Sequence, residues 1–173
     1  MSEQADVPGR AKSVVVGVVP HQSDAVLLRA ADFAAALGAE LVCVGVDRSR
    51  YTVGENPDGS PVTLPFDPDL PELGDAEFDA ALQGHIEELL RDKAVRWSVH
   101  AVAGEPVRAL AQLADTLDAE MIVVGTRDGA RSSIQEFFGG SLAVHLAHRQ
   151  KRPVMVIPVS PTPRGEKLPW EDA

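Results

Sequence analysis

Apolar residues recur along this chain in two alternating rhythms: short unbroken runs, and stripes spaced three or four apart. The run "SVVVGVV", 13–19, is rich in β-branched residues. An unbroken run of that kind fits a strand buried on both faces, as in a parallel sheet. Val26, Ala30, Phe33, Ala34 and Leu37 then fall on one helical face, with Ser23 placed to cap its start and Gly38 to stop it. "AELVCVGV" predicts a second buried strand ending near Val46.

The rhythm breaks over 48–74, a Pro-, Gly- and Asp-rich stretch without usable period, which predicts a long loop. A second helical stripe follows, with Phe78, Leu82, Ile86, Leu89 and Leu90 on one side and Asp75 as a possible cap. In "AVRWSVHAV", Val95, Trp97, Val99 and Ala101 alternate with Arg96, Ser98 and His100. That alternation predicts a half-exposed strand at a sheet edge. Pro106 suits the first turn of a third helix, whose buried face holds Val107, Leu110, Leu113, Ala114 and Leu117. "EMIVVG" predicts a fourth strand. A helix from about Ser141 to Arg149 and a last strand, "RPVMVIPV", close the pattern. Pro153 and Pro158 suit an edge position for that strand.

Five strands and four helices alternate, beginning and ending on a strand. This predicts a single-domain α/β fold: an open five-stranded parallel sheet with helices on both faces, in three layers of Rossmann type. The domain is expected over 13–159, with flexible tails at 1–12 and 160–173. In such a sheet ligands lie beyond the carboxyl ends of the strands, where strand order reverses. The loops after the first and fourth strands are therefore the places to look.

Charge and composition narrow the classes. The 173 residues carry a net charge of −10, which disfavours nucleic acid and anionic membranes as partners. The one cysteine, Cys43, lies in an apolar run and can form neither an internal disulfide nor a cysteine metal cluster. Residues 1–12 hold no apolar signal core, and no run is long enough to span a bilayer. A soluble protein of a reducing, cytoplasmic setting is expected.

Most catalytic motifs are missing. No G-x-G-x-x-G or G-x-S-x-G occurs. "GENPDGS", 54–60, has P-loop glycine spacing but no lysine, and Pro61 follows where a helix should start. His145 and His148 lie three apart, yet no cysteine or carboxylate joins them, so no metal is expected. With Arg149, Lys151 and Arg152, His148 suits a helix C-terminus instead. His21 lies near the expected ligand edge, whereas His85 and His100 suit solvated faces. Asp24 and Asp47 have the positions of a cap and a turn. No general base or metal-holding cluster stands out, so binding without efficient catalysis is expected.

The strongest remaining signal is "GTRDGARSSIQEFFGGS", 125–141. Gly125 ends the fourth strand, where backbone can approach a ligand closely. Gly139, Gly140 and Ser141 open the last helix, where free N–H groups and a hydroxyl can hold an anion. Arg127 and Arg131 can add charge-assisted bonds to phosphate. Ordinary turn chemistry, with Ser141 as a cap and the arginines in solvent, accounts for the same residues equally well.

Taken together, "VVVGV", "AADFAAALGAELVCVGV", "AGEPVRALAQLADTLDAEMIVVGTR" and "GGSLAVHLAHRQKRPVMVIPV" resemble the universal stress protein family over 13–159. The resemblance implies an adenine-nucleotide alpha-hydrolase-like fold with strand order 3-2-1-4-5. It implies a homodimer paired through the fifth strand, 153–159. It also implies, in one branch of the family, ATP held by G-x2-G-x9-G-[S/T] after the fourth strand, with magnesium able to accompany it. On that pattern the nucleotide would lie in the crevice between strands 1 and 4, where Gly125, Arg127, Gly129, Gly140 and Ser141 would hold phosphates and Leu142 would join the binding site. Val18, Val19, Pro20 and Val46 would frame the base. Between Gly125 and Gly140 the chain runs two residues longer than the pattern, and Asp128 stands where the second glycine belongs. No acid follows the first strand before Asp24, where nucleotide-binding members often carry an Asp. The alternative is a dimeric interaction protein of the same fold that binds no nucleotide and acts through 48–74.

Overall fold

The valine run forms the central strand, β1 (Ser13–Val18), and its neighbours build outward on both sides. The computed structural model describes residues 11–55, 57, 61–65, 77–126 and 142–159. In chain order β1 is followed by α1 (Asp24–Leu37), β2 (Glu40–Asp47), β3 (Arg50–Glu55), β4 (Pro61–Pro65) and α2 (Ala80–Leu90). Then come β5 (Trp97–Ala103), α3 (Pro106–Leu117), β6 (Met121–Gly125), α4 (Leu142–Arg149) and β7 (Val154–Ile157). The main sheet has the order β5-β2-β1-β6-β7, and each pairing is parallel. Counting these five strands alone gives the expected 3-2-1-4-5.

Side-chain alternation divides the core into two layers. Val14, Val16 and Val18 of β1 pack with Val26, Leu27 and Ile86 from α1 and α2. Val15 faces the other way, with Val42, Val44, Leu110, Ile122 and Leu146 under α3 and α4. Both faces are buried, which is why the central strands read as unbroken apolar runs. The strands expected at the edges, β5 and β7, are the edges. On β7, Val156 remains 39% exposed.

Local signals set the helix ends. Ser23 Oγ accepts from the Ala25 N–H, and Gly38 stops α1 in the left-handed region at φ 62°. Pro106 begins α3, and Glu105 accepts from Val107 and Arg108 N–H at 2.9 and 3.0 Å. The cap of α2 is Asp79, bonded to Leu82 N–H at 2.7 Å. The expected cap, Asp75, lies outside the described residues. Lys12, expected in the N-terminal tail, already joins the sheet end, since its carbonyl accepts from Glu40 N–H. Residues 1–10 and 160–173 lie outside the described residues.

Two differences from expectation carry information. The stretch 48–74 contains an antiparallel hairpin, with Arg50 opposite Pro65 and Tyr51 opposite Leu64. A register shift between Thr52 and Gly54 interrupts its alternation, which hides the period from a sequence pattern. The second difference is Arg152. It does not serve the C-terminus of α4 but reaches the end of α3. Its Nε donates to Ala119 O at 2.7 Å, and its two terminal nitrogens reach Asp115 and Asp118 at 2.8 and 3.1 Å. The Arg152 side chain is only 7% exposed.

The Arg152 hydrogen bond and charge hold the Asp115 carboxyl below its usual range. A depressed carboxyl contributes stability that is present above its unfolded value and lost as pH falls through the folded one. Replacing Arg152 with Met should therefore destabilise the protein most at neutral pH. The deficit should shrink below about pH 4 as carboxylates titrate, leaving the part due to Ala119 O. Urea unfolding across pH measures this. A deficit that does not change with pH would rule out the ion pairs as its source.

Cys43 lies at the centre of the sheet with no exposed surface, and burial pushes its thiol up to about 12. A thiol held neutral and enclosed is inert to disulfide reagents. Cys43 should thus be modified only on unfolding, with labelling following the global transition. Rapid labelling of the native protein would contradict this packing.

Candidate functional site

The carboxyl ends of β1, β2 and β5 open onto a cleft of about 330 Å³. Val18, Val19, Pro20 and Val46, expected to frame a base, line it together. Val18 is buried, whereas Val19 is 55% exposed at the mouth. The turn beyond them is tight. Gln22 N–H bonds Val19 O at 3.3 Å, and Gln22 Oε1 accepts from Val19 N–H at 3.4 Å. His21 is forced to φ 61°, the left-handed region that side chains seldom occupy.

The opposite wall comes from Phe78, Asp79 and the start of α2, a helix the sequence predicts without assigning it to the site. Phe78 lies over Gly45, where a Cβ would approach its ring at 3.2 Å. Leu82 and the capping Asp79 continue that wall. These residues meet β2 only through tertiary packing. Gly45, inside a strand, was the one local hint of a close approach.

The lining is apolar at its base and acidic at its rim. Asp47, Glu77 and Asp79 border the cleft, and none of its described lining residues is a lysine or arginine. Asp47 serves its own turn: its Oδ1 accepts from Ser49 N–H at 2.8 Å and from Ser49 Oγ at 2.6 Å. Such a surface suits an uncharged planar group and disfavours phosphate.

Gly125 is not among the residues that line this cleft. A Cβ there would lie 2.7 Å from Val26 Cγ2, 3.1 Å from Gln22 Nε2 and 3.3 Å from Val159 Cγ2. The space that glycine provides on that side is thus occupied by α1 and the end of the chain's own sheet. Thr126 adds a tie to the same region, its Oγ1 accepting from Val159 N–H at 2.8 Å. Leu142 starts α4 and packs its side chain partly into the core under α3 and α4. Arg127, Gly129, Gly140 and Ser141, and Arg131 with them, lie outside the described residues.

A second cleft, of about 300 Å³, runs between α1 and α2 and shares Val18, Val19, Pro20, Asp79 and Leu82 with the first. His85, expected on a solvated face, binds Asp24 here, with Nε2 2.7 Å from Oδ1. Both side chains are 49% exposed. The two residues are 61 positions apart, so no sequence spacing signals the pair. Among the described residues no group of His, Cys, Asp or Glu is arranged to hold a metal. No described helix is long and apolar enough to cross a membrane.

A family model described as the universal stress protein family matches residues 10–158. Among solved structures, a universal stress protein in complex with cAMP is 26% identical with a TM-score of 0.58, covering 88% of this chain and 100% of that one. A universal stress protein from Archaeoglobus fulgidus is 21% identical with a TM-score of 0.57 over 86% of this chain, which spans 44% of that longer one. Another from the same organism, in complex with dAMP, is 21% identical with a TM-score of 0.52, covering 86% and 99% of the two chains. The two archaeal structures speak to the fold alone. No curated protein matches the chain.

Proposed function

Since this chain belongs to the universal stress protein family, we propose that it binds an adenine nucleotide at the carboxyl ends of its central strands, without efficient turnover. The observation that carries this is the cleft itself. It opens at the carboxyl ends of β1, β2 and β5, beside the β1–β6 crevice where strand order reverses, and Val18, Val19, Pro20 and Val46 give it an apolar lining suited to a purine. Support also comes from the cAMP complex of a 26% identical member that this chain covers completely. The base would lie between Val19 and Phe78. The phosphates must point away from the acidic rim, toward the start of α4. ATP is the nucleotide proposed, and magnesium would enter with its phosphates.

Calorimetric titration tests the proposal with ATP, AMP and cAMP separately. Saturable heat is expected for at least one of them. No heat for any at millimolar ligand would overturn nucleotide binding. Saturable heat with ATP accompanied by rapid phosphate release would overturn the non-catalytic part.

We further propose a cytoplasmic homodimer paired along β7. This strand is a sheet edge, and Val156 is exposed on it. An apolar sheet edge invites pairing with a second copy. A monomer by sedimentation at micromolar concentration would overturn this.

One observation favours a second reading, a nucleotide-free interaction protein of the same fold: the acidic rim without a described cation. The absorbance spectrum of denatured, freshly purified protein separates the two. A purine band favours the first reading, and its absence together with a silent calorimeter favours the second.

A further inference from the structure

We propose that the cleft between α1 and α2, which adjoins the first cleft, is a further small-molecule site, taking a compact apolar molecule that carries a primary amine. Its volume of about 300 Å³ is at the lower end of ligand pockets, which favours a small ligand. Leu27, Leu82, Ile86 and Leu89 provide an apolar floor, and Ile86 is fully buried. The formal charges on the lining are Asp24 and Asp79, and none of the described lining residues is a lysine or arginine.

Each carboxylate has one oxygen committed. Asp24 Oδ1 meets His85 Nε2, and Asp79 Oδ1 holds the start of α2. No hydrogen bond to a described residue engages the second oxygen of either. An ammonium brings donors and a compensating charge, whereas a carboxylate or phosphate brings neither. Shape therefore selects an apolar body, and charge selects a cationic head. The proposal does not rest on the nucleotide reading, although the two clefts share Val18, Val19, Pro20, Asp79 and Leu82.

Phenethylamine is a suitable probe, with 2-phenylethanol as its neutral counterpart and phenylacetate as its anionic one. Amide spectra of the isotopically labelled full chain are recorded during each titration. Saturable shifts around Asp24, Leu27, Leu82 and His85 are expected with the amine. Affinity should fall about tenfold for the alcohol, which has no charge to pair with the carboxylates, and shifts should vanish for phenylacetate.

Asp24→Asn should weaken the amine by a similar factor and leave the alcohol unchanged. Ala81→Trp, at an exposed position on the cleft wall, should block both while the rest of the spectrum stays native. The proposal is overturned by no saturable shift, by equal binding of all three probes, or by amine shifts lying elsewhere. Should Asp24→Asn fail to fold, Ala81→Trp decides alone: amine binding that survives it places the site elsewhere.

Discussion

Replacing Gly125 with alanine should destabilise the protein by about 2 kcal/mol, through overpacking in a filled interior. The added Cβ would lie 2.7 Å from Val26 Cγ2. Valine is stiff at χ1, and Val26 is fully buried on α1, so it cannot swing aside. Gly125 is not among the residues with positive φ, so steric contact and not backbone strain should set the cost. Val26→Ala removes the offending methyl group. The double variant should therefore lose less stability than the sum of the two single changes. Urea unfolding of the four proteins measures the coupling. Additive losses would show that α1 shifts freely and that the contact is not restrictive.

Leu146→Ala should cost about 3 kcal/mol, the usual range for a buried leucine truncated to alanine. Leu146 has no exposed surface and is the buried residue of α4. It packs into the layer with Leu110, Ile122 and Val124, so its loss leaves α4 held mainly by its partly buried positions. Since α4 follows 127–141, the same change should weaken nucleotide binding as well as stability. Thermal unfolding with and without ATP reads both effects. A loss below about 1 kcal/mol would mean that α4 contributes little to the core, contrary to this packing.

Much of the fold was legible because its signals are local. "SVVVGVV" and "LVCVGV" are unbroken apolar runs because β1 and β2 are covered on both faces. "AVRWSVHAV" alternates because β5 is an edge. Ser23, Gly38 and Pro106 act within a turn of where they stand. Part of the cleft was legible too. Val18, Val19, Pro20 and Val46 were identifiable because strand ends mark the ligand edge of a parallel sheet, and the structure brings them onto one cleft. At Gly125 a glycine pattern shows a close approach but cannot say which atoms make it, and the structure places Val26, Gln22 and Val159 there.

The sequence by itself determined the order of the five main-sheet strands and four helices, the parallel three-layer architecture, the identity of the edges and most helix ends. Each follows from periodicity or from a residue acting on its near neighbours in the chain. Only the tertiary structure decided that Phe78 covers Gly45, that His85 meets Asp24, that Val26 fills the space beside Gly125, and that Arg152 closes α3 and not α4. It also decided that 48–74 holds a hairpin. Those contacts join distant segments whose meeting depends on how the helical layers dock on a twisted sheet. Docking of that kind leaves no period along the chain.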